Sequence, residues 1–174
     1  VPMQWDYSYF FPTMAIASHV THWGKRPMHF ACAVAMSARF GMDLDLLKLS
    51  VEDRAVCAQA ISVYKRIRDV TQLGSLYRLE NPHGAERGTL NFVSPDHARA
   101  VVFVFQLKDG PPLPVRPQGL DPTRRYSITE PNPAPHRAPL AQAGQTFTGA
   151  ELMRDGIVPS CAKALEACVI ELAP

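Results

Sequence analysis

LSVEDRAVCAQAISVYKRIRDVTQLG, residues Leu49 to Gly74, is the stretch at which the chain changes character. Val56, Ala60, Val63, Tyr64, Ile67 and Val70 recur at spacings of three and four, which lays one apolar stripe along an α-helix. Ser50 is a good N-cap, and Asp53 stands three residues on, where the partner of a capping box belongs. Glu52 and Asp53 in the first turn, with Lys65, Arg66 and Arg68 towards the end, complement the helix dipole. Gly74 predicts a left-handed residue that closes the helix. Upstream of this helix the sequence reads as α/β, and downstream as all-β.

Proline usage marks the same division. Residues 1 to 72 hold three prolines (Pro2, Pro12, Pro27) and two glycines, against thirteen prolines and eight glycines in residues 73 to 174. Such residues punctuate short strands and turns. In the first part, Met3 to Phe11 is aromatic and fits a helix or a buried strand. Thr13 to Ser18 predicts a buried strand, Met28 to Arg39 a helix with Pro27 at its start, and Phe40 to Leu44 a second strand. This is the rhythm of a parallel α/β unit, yet two strands close no parallel sheet. In the second part, strands are expected over 75–79, 88–93, 100–107, 113–116, 125–128, 145–147 and 167–172, with a helical turn over 149–154. The segment 130–143, with prolines at 131, 133, 135 and 139, reads as a long loop. Short strands at this spacing predict an antiparallel sandwich.

The 174 residues carry a formal charge of +2, and their basic side chains are scattered, so a nucleic-acid partner is not expected. The apolar runs, such as 101–107, are too short to span a bilayer, and no targeting leader is visible. The opening Val1-Pro2-Met3-Gln4-Trp5 enters core-like sequence at once, which predicts a fragment whose upstream portion is missing and leaves the compartment unassigned. Cys32 and Cys57 fall on apolar helical faces as buried thiols. Cys161 and Cys168, seven apart, allow either a disulfide across a hairpin or two free thiols.

Four residues are candidates for touching a ligand. Ser18 and His19 lie where a strand ends, the place at which parallel α/β folds put functional groups, although neighbours on a strand diverge too far for a nucleophile and its base. Asp43 ends the second strand; with Asp45 it shares one side, so the two do not face each other across a sugar as an acid/base pair must. Trp23, in a Gly-Lys-Arg loop, is the tryptophan expected to be exposed, whereas Trp5 and the Tyr7, Tyr9, Phe10, Phe11 cluster suit either core or a sugar-stacking platform. His19, His22 and His29 lack the spacing of metal ligands.

Taken in order, several motifs resemble the C-terminal end of glycoside hydrolase family 36, the bacterial-type α-galactosidases. They are Ser18-His19-Val20, Phe40-Gly41-Met42-Asp43-Leu44-Asp45-Leu46, Tyr64-Lys65-Arg66-Ile67-Arg68, Gly74-Ser75-Leu76-Tyr77-Arg78-Leu79, Val93-Ser94-Pro95-Asp96, Gly119-Leu120-Asp121-Pro122 and Gly149-Ala150-Glu151-Leu152-Met153. The resemblance implies an α/β remnant, residues 1–73 as the last units of a (β/α)8 barrel, followed by an all-β antiparallel sandwich in residues 74–174. It implies a parent that hydrolyses terminal α-galactosides with retention, through an aspartate nucleophile and an aspartate acid/base. The family's Lys-x-Asp and Ser-Asp-x-x-Asp patterns are both absent from the sequence, so no catalytic residue carries over and the chain alone is expected to be inactive. Ser18, His19, Trp23 and Asp43 remain as substrate-binding candidates, and no cofactor or metal is expected. An open barrel edge predicts self-association or pairing with the missing N-terminal part. The rival reading is a sugar-binding or structural β module without chemistry.

Overall fold

The computed structural model describes residues 1–22 and 24–174. The helices are α1 (Pro2–Tyr7), α2 (Met28–Met36), α3 (Val51–Leu73) and α4 (Gly149–Asp155). The strands are β1 (Ala17–Thr21), β2 (Arg39–Asp43), β3 (Ser75–Glu80), β4 (Arg87–Val93), β5 (Ala100–Gln106), β6 (Arg125–Thr129), β7 (Thr146–Thr148) and β8 (Glu166–Ala173). β1 and β2 pair in parallel with α2 as the crossover, while the other six strands form an antiparallel sheet in the order β3-β4-β5-β8-β6-β7.

α3 forms where its stripe predicts. Ser50 Oγ accepts from the Asp53 amide at 3.0 Å, and Ala60, Val63, Tyr64, Ile67 and Val70 are buried. Gly74 departs from expectation: it is extended (φ −79°, ψ 168°), because the chain runs straight from the helix into β3. The first strand also lies later than the apolar run suggests. Pro12, with no N–H and a fixed φ, starts a single 3-10 turn over Thr13–Ala15, so pairing begins at Ala17. α2 stops at Met36, where Ser37 Oγ donates back to the Val34 carbonyl at 2.8 Å, and the chain turns into β2. Residues 113–116 form no strand beyond one bridge, Val115 to Ile157, since prolines at 111, 112, 114 and 117 cannot donate to a ladder.

The second part is one sheet with both faces covered rather than two strand layers. Against one face lie α2 and α3, with Phe30, Ala33, Cys57, Ala60 and Ile67 meeting Phe92, Val101, Phe103, Phe105 and Val169. Phe30 and Phe105 meet edge to face, 6.2 Å between ring centroids. Against the other face lie α4 and the long connections, through Val115, Leu120, Leu140, Leu152 and Ile157 on Val102, Val104, Ile128 and Ile170. Every residue of β5 is therefore buried, which is why its sequence is a continuous apolar run and not an alternation. Cys161 and Cys168 are free thiols, as are Cys32 and Cys57, and all four are buried.

Candidate functional site

The register of the parallel pair sets His19 beside Gly41, Thr21 beside Asp43 and Ala17 beside Arg39. Side chains alternate along a strand, so these six residues share one face. Ser18, Val20, Phe40 and Met42 share the other, and Val20, Phe40 and Met42 pack there with the apolar cluster under α2 and α3. His19 is exposed, and its ring lies across Gly41: a Cβ there would stand 2.5 Å from His19 Cδ2 and 2.8 Å from Nε2. The glycine is the shelf on which the ring rests. Thr21 and Asp43 close the C-terminal ends of the strands, the end at which parallel α/β sheets receive ligands.

A groove of about 480 Å³ opens along the edge of β1 that carries no partner strand, between α1 and α2, and Gln4, Ser18, His19, Thr21, Arg26 and Phe30 line it. Ser18 is buried, with Oγ accepting from Gln4 Nε2 at 3.0 Å. Gln4 Oε1 is buried and, among the described residues, without a hydrogen-bond partner. Of the four sequence candidates, then, the fold brings Ser18, His19 and Asp43 to one parallel pair, with Ser18 on the opposite face from the other two. Trp23 lies outside the described residues. Sequence reading missed Thr21, Arg39 and Gln4. Counting in twos from His19 and Asp43 would have found the first two; Gln4 needed the packing of α1.

Asp45 is occupied elsewhere. Its Oδ1 accepts from the Leu47 amide at 3.1 Å, and its carboxylate pairs with Lys48 at 3.2 Å. The face thus offers hydrogen-bonding groups suited to hydroxyls, without two carboxylates opposed across a cleft. His29 stands apart, buried, with Nε2 donating to the Asn132 carbonyl at 2.7 Å, and burial pushes its pKa down. Among the described residues no group of three or more His, Cys, Asp or Glu side chains is placed to hold a metal ion. Likewise, no helix among them is long and apolar enough to cross a membrane. Trp5 is buried as core, but Tyr9 and Phe10 are 61% and 80% exposed, with Arg78 over the Tyr9 ring at 4.2 Å.

Two family profiles match, Melibiase over residues 1–74 and the glycosyl hydrolase family 36 C-terminal domain over residues 89–172. The chain belongs to glycoside hydrolase family 36. Among curated relatives, the α-galactosidase AgaA of Geobacillus stearothermophilus is 30% identical over 72% of this chain and 18% of its own length. The α-galactosidase Mel36A of Lactobacillus acidophilus is 29% identical over 88% of this chain and 20% of its own. The crystal structure of a Geobacillus AgaA variant in complex with stachyose covers 98% of this chain at a TM-score of 0.84 and 27% identity, the match taking up 23% of that structure. The galactosidase domain of an α-galactosidase-sucrose kinase covers 98% at a TM-score of 0.84 and 26% identity, with 24% of its own chain matched. The chain spans about a fifth of the length of the curated relatives it matches.

Proposed function

We propose that the chain is the C-terminal part of a retaining α-galactosidase, supplying the last two strands of its (β/α)8 barrel from residues 1–73 and the β domain beside them from residues 74–174. The parallel pair β1/β2, joined through α2 and presenting a polar face, is the observation that carries this reading. In the complete barrel that face lines the lumen, and His19 and Asp43 contact the hydroxyls of a terminal α-galactoside, while Ser18, on the opposite face, holds Gln4. The relatives' complexes with stachyose and raffinose support oligosaccharides as the substrate class. Without aspartates in the two family patterns, the chain has no nucleophile or acid/base of its own and is inactive alone.

The exposed Tyr7, Tyr9, Phe10, Phe11 and Met14, together with the unpaired edge of β1, support pairing with the upstream part of the barrel or self-association. A clean monomer in sedimentation velocity would count against self-association. A non-catalytic sugar-binding module is disfavoured, because the aromatic side chains of the six-stranded sheet are turned into the core and not outward as a platform. The test is hydrolysis of a chromogenic α-galactoside by this chain and by the full-length parent. Turnover by the parent alone is expected; turnover by this chain alone overturns the reading.

A further inference from the structure

The four cysteines, scattered along the sequence, meet in two buried pairs. Cys32 on α2 donates its S–H to Cys57 on α3, and Cys161 donates to Cys168 on β8. The second pair is brought together by Glu166, whose carboxylate accepts from the Ala162 and Lys163 amides at 2.8 and 2.9 Å and folds the 161–166 turn back on the strand. The surroundings of the pairs differ. Arg137 Nη1 donates to Cys168 Sγ at 2.7 Å and to Ser160 Oγ at 2.6 Å, and Ser160 Oγ lies 3.4 Å from the same sulfur. Arg137 is itself nearly buried, paired through Nη2 with the buried Glu130, and its Nε has no partner among the described residues. Around Cys32 and Cys57 no cation takes part among the described residues; burial and the Asp53 carboxylate push both thiols up.

We propose that Cys161 and Cys168 are an oxidation site, in which the Cys168 sulfur reacts first with a peroxide and Cys161 resolves it to a disulfide. Two donors on one sulfur, one of them charged, favour its thiolate, which is the reactive form. The Cys161 hydrogen bond and the Arg137 charge hold the Cys168 thiol down near 7 against the opposing effect of burial, while Cys161 is pushed up. In the first step the Cys168 thiolate attacks one oxygen of hydrogen peroxide, the O–O bond breaks, and hydroxide leaves, taking a proton to become water. In the second, Cys161 sulfur attacks the sulfenic sulfur; the S–O bond breaks, and the released hydroxide takes the Cys161 proton. Two thiols lose two electrons and one peroxide becomes two waters. Both sulfurs are fully buried, so oxidation proceeds through a local opening of the 161–166 turn that admits the peroxide.

The test is graded hydrogen peroxide on the folded chain, then alkylation in denaturant and peptide mapping by mass spectrometry. The expected result is a Cys161–Cys168 disulfide that accumulates while Cys32 and Cys57 stay fully alkylated. Equal oxidation of both pairs, prior oxidation of Cys32 and Cys57, or no oxidation of either overturns the proposal. With Cys161→Ser, dimedone is expected to trap a sulfenic acid at Cys168, and an adduct at Cys32 or Cys57 instead would overturn the assignment of the attacking sulfur.

Discussion

A Cβ built on Gly74 would lie 2.4 Å from the Val70 carbonyl oxygen and 2.5 Å from that of Val93, both backbone atoms that cannot move without displacing α3 or β4. Gly74→Ala is therefore expected to destabilise the chain by about 3 kcal/mol, the upper part of the overpacking range, read from the midpoint of urea unfolding. Gly84→Ala is the comparison: with φ at +72° and open space around it, only left-handed strain of about 1 kcal/mol is added. An equal loss in the two would mean that the Val70 and Val93 carbonyls give way cheaply and that close approach does not explain Gly74. That glycine was legible as a helix stop but not in its reason, because the obstructing Val93 carbonyl comes from a strand nineteen residues on. Its counterpart in the site is Gly41, needed for the ring of His19. Asp43 could be read because it ends its strand as expected, whereas Ser18 and His19, expected at a strand end, lie within β1, since the 3-10 turn after Pro12 delays pairing to Ala17. The face that His19 and Asp43 share could not be read, since it follows from the register between β1 and β2.

Thr148 begins α4 with a complete capping box, in which Thr148 Oγ accepts from the Glu151 amide at 3.2 Å and Glu151 accepts from the Thr148 amide at 2.7 Å. Thr148→Ala is expected to cost about 1 kcal/mol in chemical denaturation. Hydrogen bonds from the Thr148 amide and hydroxyl hold the Glu151 carboxyl below its ordinary value of 4.5. A depressed carboxyl contributes stability that is present above the unfolded value and lost as pH falls through the folded one. Glu151→Gln should thus flatten the acid limb of a thermal-stability profile below about pH 4.5 and leave the neutral region parallel to the parent. An unchanged acid limb would show that the box does not depend on the ionised carboxylate. At this scale most of the sheet was legible, because β3, β4, β5 and β8 carry dense apolar residues between turn signals. The expected strand over 113–116 failed for want of proline-free backbone, and the second layer of a sandwich failed because loops and α4 cover the sheet as well as strands would.

A single apolar cluster crosses from α2 and α3 to β4, β5 and β8, so the change in sequence character at Gly74 is not a change of core. Polar pins reinforce the crossing. Glu171 on β8 accepts from Arg66 at 3.0 Å and from Arg99 at 3.1 Å, and Arg99 also reaches Asp69 at 2.7 Å. The proline-rich segment 130–143 is fastened to the helices by Gln59 Nε2 donating to the Pro131 carbonyl at 2.9 Å and by His29 donating to the Asn132 carbonyl. None of this was legible, since the partners lie 30 to 105 residues apart and no local pattern encodes them. The His29 pin has a measurable signature. Burial, with a smaller contribution from the Arg137 charge, holds its pKa below the ordinary 6.5, against the Asn132 hydrogen bond and the Glu130 and Glu166 carboxylates. A base whose folded pKa is depressed binds fewer protons folded than unfolded, so stability is fully present above about pH 6.5 and declines as pH falls below it. Gln in its place keeps a donor for the Asn132 carbonyl but cannot take up a proton. Between about pH 7.5 and 5.5 the urea midpoint of the parent should therefore fall, and that of His29→Gln should fall less. Parallel declines in the two would place the titrating group elsewhere and mean that His29 takes up its proton equally in the folded and unfolded chain.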